Sequence, residues 1–188
     1  MVNIGIFCGS SSGRNLIYRE TAIRVGQTLA EKGIGIIYGG GKVGLMGAVA
    51  DAALKRGGRV IGVIPSSLFE HEIAHAGLTY LHVVTNMHER KMKIAAMSDA
   101  FITMPGGSGT LEEICEQWTW AQLGLHKKPC AFLNINGFYH PLKNMIHHMV
   151  KEGFLRKIYE DMLLFSEDLE EITQYFFNYE VPATKWLD

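Results

Sequence analysis

The stretch Ala100-Phe101-Ile102-Thr103-Met104-Pro105-Gly106-Gly107-Ser108-Gly109-Thr110-Leu111-Glu112-Glu113 decides how this chain is read. Ala100–Met104 is a short apolar run with the length and composition of a buried strand. From Thr110 to Leu123 the apolar spacing is helical. Between them lie three glycines and Ser108, and a second hydroxyl residue, Thr110, opens the helical stretch. Glycine lets backbone N–H groups approach a ligand closely. A helix N-terminus leaves N–H groups unpaired and carries partial positive charge. A strand, a glycine turn and a helix in that order form an anion site, most often for phosphate. Carboxylates one turn inside the helix reach whatever is attached to that phosphate. A second reading of Thr110-x-x-Glu113 is a capping box, in which Glu113 only serves the helix's first N–H groups.

The same strand–turn–helix unit recurs on both sides. Val2–Cys8, Gly35–Tyr38, Val60–Ile64, Tyr80–Val84, Pro129–Asn134 and Met162–Phe165 read as further strands. Leu16–Lys32, Leu45–Arg56, Asn86–Ser98, Tyr139–Glu152 and Asp168–Phe177 read as helices, with Asn86 and Glu89 as a capping pair. Strands apolar on both faces predict a parallel sheet covered by helices on both faces, a doubly wound α/β fold. Residues 1–181 are expected to form one domain and 182–188 a tail. In such a sheet ligands bind outside the carboxyl ends of the strands. The loops Gly9–Gly13, Gly39–Gly44 and Pro105–Thr110 all follow strands, so they are expected on one edge around one cleft.

Composition excludes several classes. A net charge of −1 gives no basic field for nucleic acid or a membrane surface. Three cysteines without Cys-x-x-Cys point to free thiols in a reducing compartment. Val2–Cys8 is too short for a secretory leader, and no run approaches a membrane span. A cytoplasmic protein is expected.

Several motifs carry competing readings. Gly39-Gly40-Gly41-Lys42-Val43-Gly44 fits G-x-G-x-x-G, but the next strand ends Val63-Ile64-Pro65, without the carboxylate a dinucleotide's ribose needs. Tight turning and close helix–strand packing is the alternative. His71-Glu72-Ile73-Ala74-His75 matches H-E-x-x-H, but follows Pro65-Ser66-Ser67 and lacks the long core helix of a zinc hydrolase. It reads as a solvated loop or as Glu72 facing a ligand. His88-Glu89-Arg90-Lys91 is either a solvated charged turn or a place where Arg90 presents a planar fork to an anion. Glu112 and Glu116 read as exposed helix charges, and Trp118 and Trp120 as core or interface. The remaining histidines have no ligand spacing, and neither a metal nor a cofactor is expected.

Met87-His88-Glu89-Arg90-Lys91 followed by Met104-Pro105-Gly106-Gly107-Ser108-Gly109-Thr110-Leu111-Glu112-Glu113 resembles the paired signature of the Lonely Guy (LOG) family of cytokinin riboside 5′-monophosphate phosphoribohydrolases. Cys8-Gly9-Ser10-Ser11-Ser12, Tyr38-Gly39-Gly40-Gly41, Val43-Gly44-Leu45-Met46-Gly47 and Trp120-Ala121-Gln122-Leu123-Gly124 support it. The resemblance runs from about residue 2 to about residue 155. It implies a Rossmann-like fold, a homodimer, and hydrolysis of the N-glycosidic bond of adenine-type nucleoside 5′-monophosphates, AMP included, without metal or cofactor. It places catalysis on Arg90 and Glu113. It places substrate contacts on Glu72, Arg90, Lys91, Gly106, Gly107, Ser108, Gly109, Thr110, Leu111, Glu112, Glu113 and Thr119.

Overall fold

A computed structural model of the chain describes residues 2–69 and 74–182. The elements run β1 Asn3–Phe7, α1 Leu16–Glu31, β2 Gly35–Tyr38, α2 Gly44–Lys55, β3 Val60–Pro65, α3 Ser66–Phe69, β4 Tyr80–Val84 and α4 Met87–Met97. They continue β5 Ala100–Thr103, α5 Ser108–Gln122, β6 Cys130–Leu133, α6 His140–Lys151, α7 Lys157–Glu160, β7 Leu163–Ser166 and α8 Leu169–Phe177. The expected strands and helices are present, with ends shifted by a residue or two. α3, α7 and a 3-10 turn at Ile135–Gly137 were not expected. Each is too short to show a helical period in sequence. Of the expected tail, residues 183–188 lie outside the described residues.

The seven strands form one parallel sheet in the order β4-β3-β2-β1-β5-β6-β7. Alternate strand residues feed two cores. Ile4, Ile6, Ile36, Ile102 and Leu133 pack under α1, α2 and α8. Phe7, Ile37, Val63, Phe101 and Phe132 pack under α4, α5 and α6. This explains why the strands are apolar throughout: both faces are covered. On the first face α1 and α2 approach closely at Gly26, where a Cβ would lie 2.3 Å from the Val49 carbonyl oxygen. On the second face the Trp118 indole N–H donates to the Tyr159 carbonyl at 2.9 Å, fastening α5 to α7.

β1 sits between β2 and β5. The chain winds outward from β1 to β4, then returns to β5 on β1's other side. The connections leaving β1 and β5 therefore diverge to opposite faces, opening a crevice at their carboxyl ends.

Candidate active site at the topological switch point

The three glycine loops do meet at this crevice. The Gly9 N–H donates to the Pro105 carbonyl at 3.0 Å, and the Gly9 carbonyl accepts from Leu45 N–H at 3.1 Å. The β1, β5 and β2 loops are thus bonded through one residue. Gly106 and Gly44 are required by this crowding. A Cβ on Gly106 would lie 2.1 Å from Thr110 Oγ1, and Gly44, at φ 60°, has the Ser10 backbone 2.3 Å from where its Cβ would be. The packing alternative for Gly39–Gly44 therefore describes most of that loop.

α5 begins earlier than its apolar period indicates. Gly107 is the N-cap, with no side-chain cap, and Ser108 is the first helical residue. Thr110 lies inside the first turn, so Thr110-x-x-Glu113 is not a capping box. Glu113 instead lines the cleft. Gly107 and Gly109 have nothing within 4 Å of a Cβ, and neither has positive φ. The fold does not demand glycine at either position.

Arg90 reaches the cleft from α4. Asn86 caps that helix, its Oδ1 accepting Glu89 N–H at 3.0 Å, while Glu89 Oε2 accepts from Thr85 N–H at 2.8 Å. This is a capping box in which the acid reaches one residue further back. It fixes how α4 enters. Arg90 is only 5% exposed. Its Nη2 donates to the Gly39 carbonyl at 3.1 Å, and Nη1 lies 3.7 Å from Met87 Sδ. The solvated-turn reading of Arg90 and Lys91 is overturned: both are buried.

The cleft encloses about 350 Å³. It is lined by Arg90, Glu112 and Glu113, by the Gly107–Thr110 turn, and by the apolar side chains of Met46, Leu68 and Met87. Cys8 also lines it. Burial first, and then the Glu113 carboxylate, push the Cys8 thiol far above its ordinary range. It stays protonated and is no nucleophile. A second cleft of about 320 Å³ adjoins, lined by Ser11, Ser12, Tyr18 and Phe138, and shares Gly9, Ser10 and Gly107 with the first. Cys8, Met46 and Met87 were not singled out as lining residues, because nothing in their spacing marks a wall built from three separate elements.

Lys91 pairs with α5. Its Nζ donates to Glu112 Oε1 at 2.6 Å and to Glu116 Oε1 at 2.9 Å. Burial alone would lower the ammonium's pKa, but those two carboxylates outweigh it and hold it above the ordinary value. Glu112 and Glu116 are therefore not simple surface charges. Lys91 is not among the cleft-lining residues. Neither is Leu111, whose side chain packs against the second core, nor Thr119, which is exposed on α5.

Glu72, with His71, lies outside the described residues. The segment rejoins at Ala74, which bridges Gly41, and at His75, whose N–H donates to the Gly40 carbonyl at 3.0 Å. Gly77 N–H donates to His75 Nδ1 at 3.1 Å, so Nε2 carries the proton and faces Asp51 Oδ1 at 3.0 Å. Both ring nitrogens of His75 are thus occupied. Among the described residues no group of three His, Cys, Asp or Glu side chains could hold a metal ion. Nor, among them, is any helix long and apolar enough to cross a membrane.

A doubly wound parallel sheet with a glycine-lined cleft at its switch point defines a Rossmann-like α/β protein. The chain belongs to the LOG family. The family described as "possible lysine decarboxylase" matches residues 46–176. The cytokinin riboside 5′-monophosphate phosphoribohydrolase LOG of Oryza sativa subsp. japonica is 43% identical over 182 residues, covering 95% of this chain and 75% of that protein. The cytokinin riboside 5′-monophosphate phosphoribohydrolase of Rhodococcoides fascians is 46% identical over 169 residues, covering 89% of this chain and 85% of its own. Among solved structures, TM1055 matches with a TM-score of 0.72 at 19% identity, covering 95% of this chain and all of that one. The molybdenum cofactor carrier protein of Chlamydomonas reinhardtii matches with a TM-score of 0.70 at 18% identity, covering 95% and 99%. These two share the fold.

Proposed function

We propose that this protein hydrolyses the N-glycosidic bond of adenine-type nucleoside 5′-monophosphates, releasing free base and ribose 5-phosphate. The substrates are cytokinin riboside 5′-monophosphates and also AMP. The relatives' names support the first, and the cleft's chemistry supports the class. The observation that carries the reading is the meeting of Arg90 and Glu113 in one cleft with the Gly107–Thr110 turn.

The 5′-phosphate docks at the start of α5, where unpaired N–H groups and the helix dipole favour an anion. Gly107 and Gly109 keep that approach open, since nothing in the fold otherwise needs them. Breaking a ribosyl C–N bond builds positive charge on the sugar. A carboxylate beside the ribose stabilises such charge and orients the attacking water, as in glycoside cleavage generally. Glu113 has that position one and a half turns from the phosphate end. Arg90, whose guanidinium has donors and no acceptor, acts by donating hydrogen bonds, positioning the substrate or assisting departure of the base. The apolar wall of Met46, Leu68 and Met87 suits a flat base. Contacts from Glu72, and a homodimer in the cytoplasm, belong to the same reading through the family.

Incubation with AMP and with isopentenyladenosine monophosphate, followed by chromatography for free base, tests it. Base and ribose 5-phosphate are expected in equal amounts. Tight binding with no base released would make this a nucleotide-binding module instead.

A further inference from the structure

Arg90 and Glu113 sit on different helices, and each helix packs chiefly on the sheet. Something must fix the distance between them. The residues next to them in sequence, Lys91 and Glu112, form an ion pair that joins α4 to α5. Glu116 completes it from one turn further along α5. Glu112 and Glu116 are four residues apart, so they share one helix face, and two like charges at that spacing repel. The Lys91 ammonium lies between them with its side chain only 10% exposed. Glu116 Oε2 is buried and makes no hydrogen bond among the described residues, so its carboxylate is held by Lys91 through Oε1. Neither Lys91 nor Glu116 lines the cleft, whereas Arg90, Glu112 and Glu113 do.

The geometry points to Lys91 and Glu116 as positioning residues: a buried clamp between α4 and α5 that sets Arg90 against Glu113. This rests on the proposed hydrolase reading and deepens it. Lys91 then acts through its neighbours and not by touching substrate. The pair matters because a shift of about 1 Å in a reacting group can cost on the order of 10² in rate. Gln at 116 keeps an acceptor oxygen, so it preserves that arm of the clamp in weakened form, whereas Ala leaves Lys91 only Glu112.

The test compares Lys91→Met, Glu116→Ala, Glu116→Gln and the Lys91→Met/Glu116→Ala double variant with the wild type. It measures kcat and KM for AMP, and the Kd for ribose 5-phosphate by calorimetry. Lys91→Met and Glu116→Ala should each lower kcat by about tenfold or more, with the Kd for ribose 5-phosphate within about twofold. Glu116→Gln should recover most of the loss. The double variant should be no worse than Lys91→Met, because Lys91→Met already removes both arms of the clamp. If Lys91→Met weakens ribose 5-phosphate tenfold while Glu116→Ala keeps full kcat, Lys91 is a substrate contact and the clamp is wrong. Additive losses in the double variant would overturn it as well. Variants that lose melting temperature in parallel with kcat, with no recovery by Gln, would reduce the pair to a stability role. A wild type that releases no base from AMP or isopentenyladenosine monophosphate defeats the hydrolase reading itself, a result the variants do not produce.

Discussion

The Gly39 carbonyl accepts a hydrogen bond from Arg90 Nη2 at 3.1 Å, and a Cβ on Gly39 would lie 2.0 Å from that same nitrogen. The end of β2 is therefore the seat of the guanidinium, and it is glycine because the guanidinium occupies the side-chain space. Gly39→Ala should displace Arg90 from the cleft. We expect kcat/KM for AMP to fall by about 10² or more. The residue is buried at the end of β2, so a lower melting temperature should accompany it. Retained activity with an unmoved Arg90 in a crystal structure of the variant would refute this relationship.

Gly107 and Gly109 predict the opposite pattern. A methyl group meets nothing at either position. Gly109 is the second residue of α5, where Ala is favoured over Gly by about 0.5 kcal/mol. Gly109→Ala should melt at or slightly above the wild-type temperature yet raise KM for the monophosphate by tenfold or more. Gly107→Ala should lose binding similarly with stability changed by only a few tenths of a kcal/mol at the N-cap. Calorimetric titration with ribose 5-phosphate beside a melting curve separates the two effects. Unchanged affinity would place the phosphate elsewhere.

Glu113→Gln keeps the side chain's volume and removes its charge. Losing one preorganised electrostatic group typically costs ~10²–10³ in rate. Steady-state kcat for AMP should drop by that order while far-ultraviolet dichroism stays the same. A variant within threefold of wild type would remove Glu113 from the chemistry.

His126 gives a pH-dependent stability. Burial first, and then the nearby Lys128 ammonium, push its pKa down to about 4 from an ordinary 6.5. Its Nδ1 accepts from Lys128 N–H at 3.2 Å, and its ring lies 5.7 Å from that of Phe101. Between pH 6.5 and about 4 the unfolded chain binds a proton that the folded chain refuses. Stability therefore rises with pH across that window and is lost on acidification. The melting temperature should fall from pH 7 to pH 4. His126→Asn, which can keep the i to i+2 acceptor as an Asx turn, should flatten that slope. An equal slope in the variant would assign it to other groups.

Much of the fold was legible because its signals are local. Short runs apolar on both faces imply a parallel sheet covered on both sides, and the glycine turns mark strand ends. The cleft's glycine turn was legible for the same reason, since Pro105–Thr110 is a contiguous strand–turn–helix. What stayed open was also local in cause. Thr110 could be read as a cap because Ser108 and Gly109 carry no apolar period, although Gly107 is where the helix begins. His88–Lys91 could be read as a solvated turn or as an anion site because a charge run carries no sign of what will cover it. Lys91 finds its carboxylates 21 and 25 residues away.

The sequence by itself determined the succession of strands and helices, the location of the glycine turns and the kinds of group available for chemistry. These follow from backbone freedom and hydrophobic periodicity within a few residues. Only the tertiary structure decided that Gly39 seats Arg90, that Lys91 pairs with Glu112 and Glu116, and that Glu113 lines the cleft. Those facts depend on which helices the sheet brings side by side, and pairings across such separations are set by packing of the whole core.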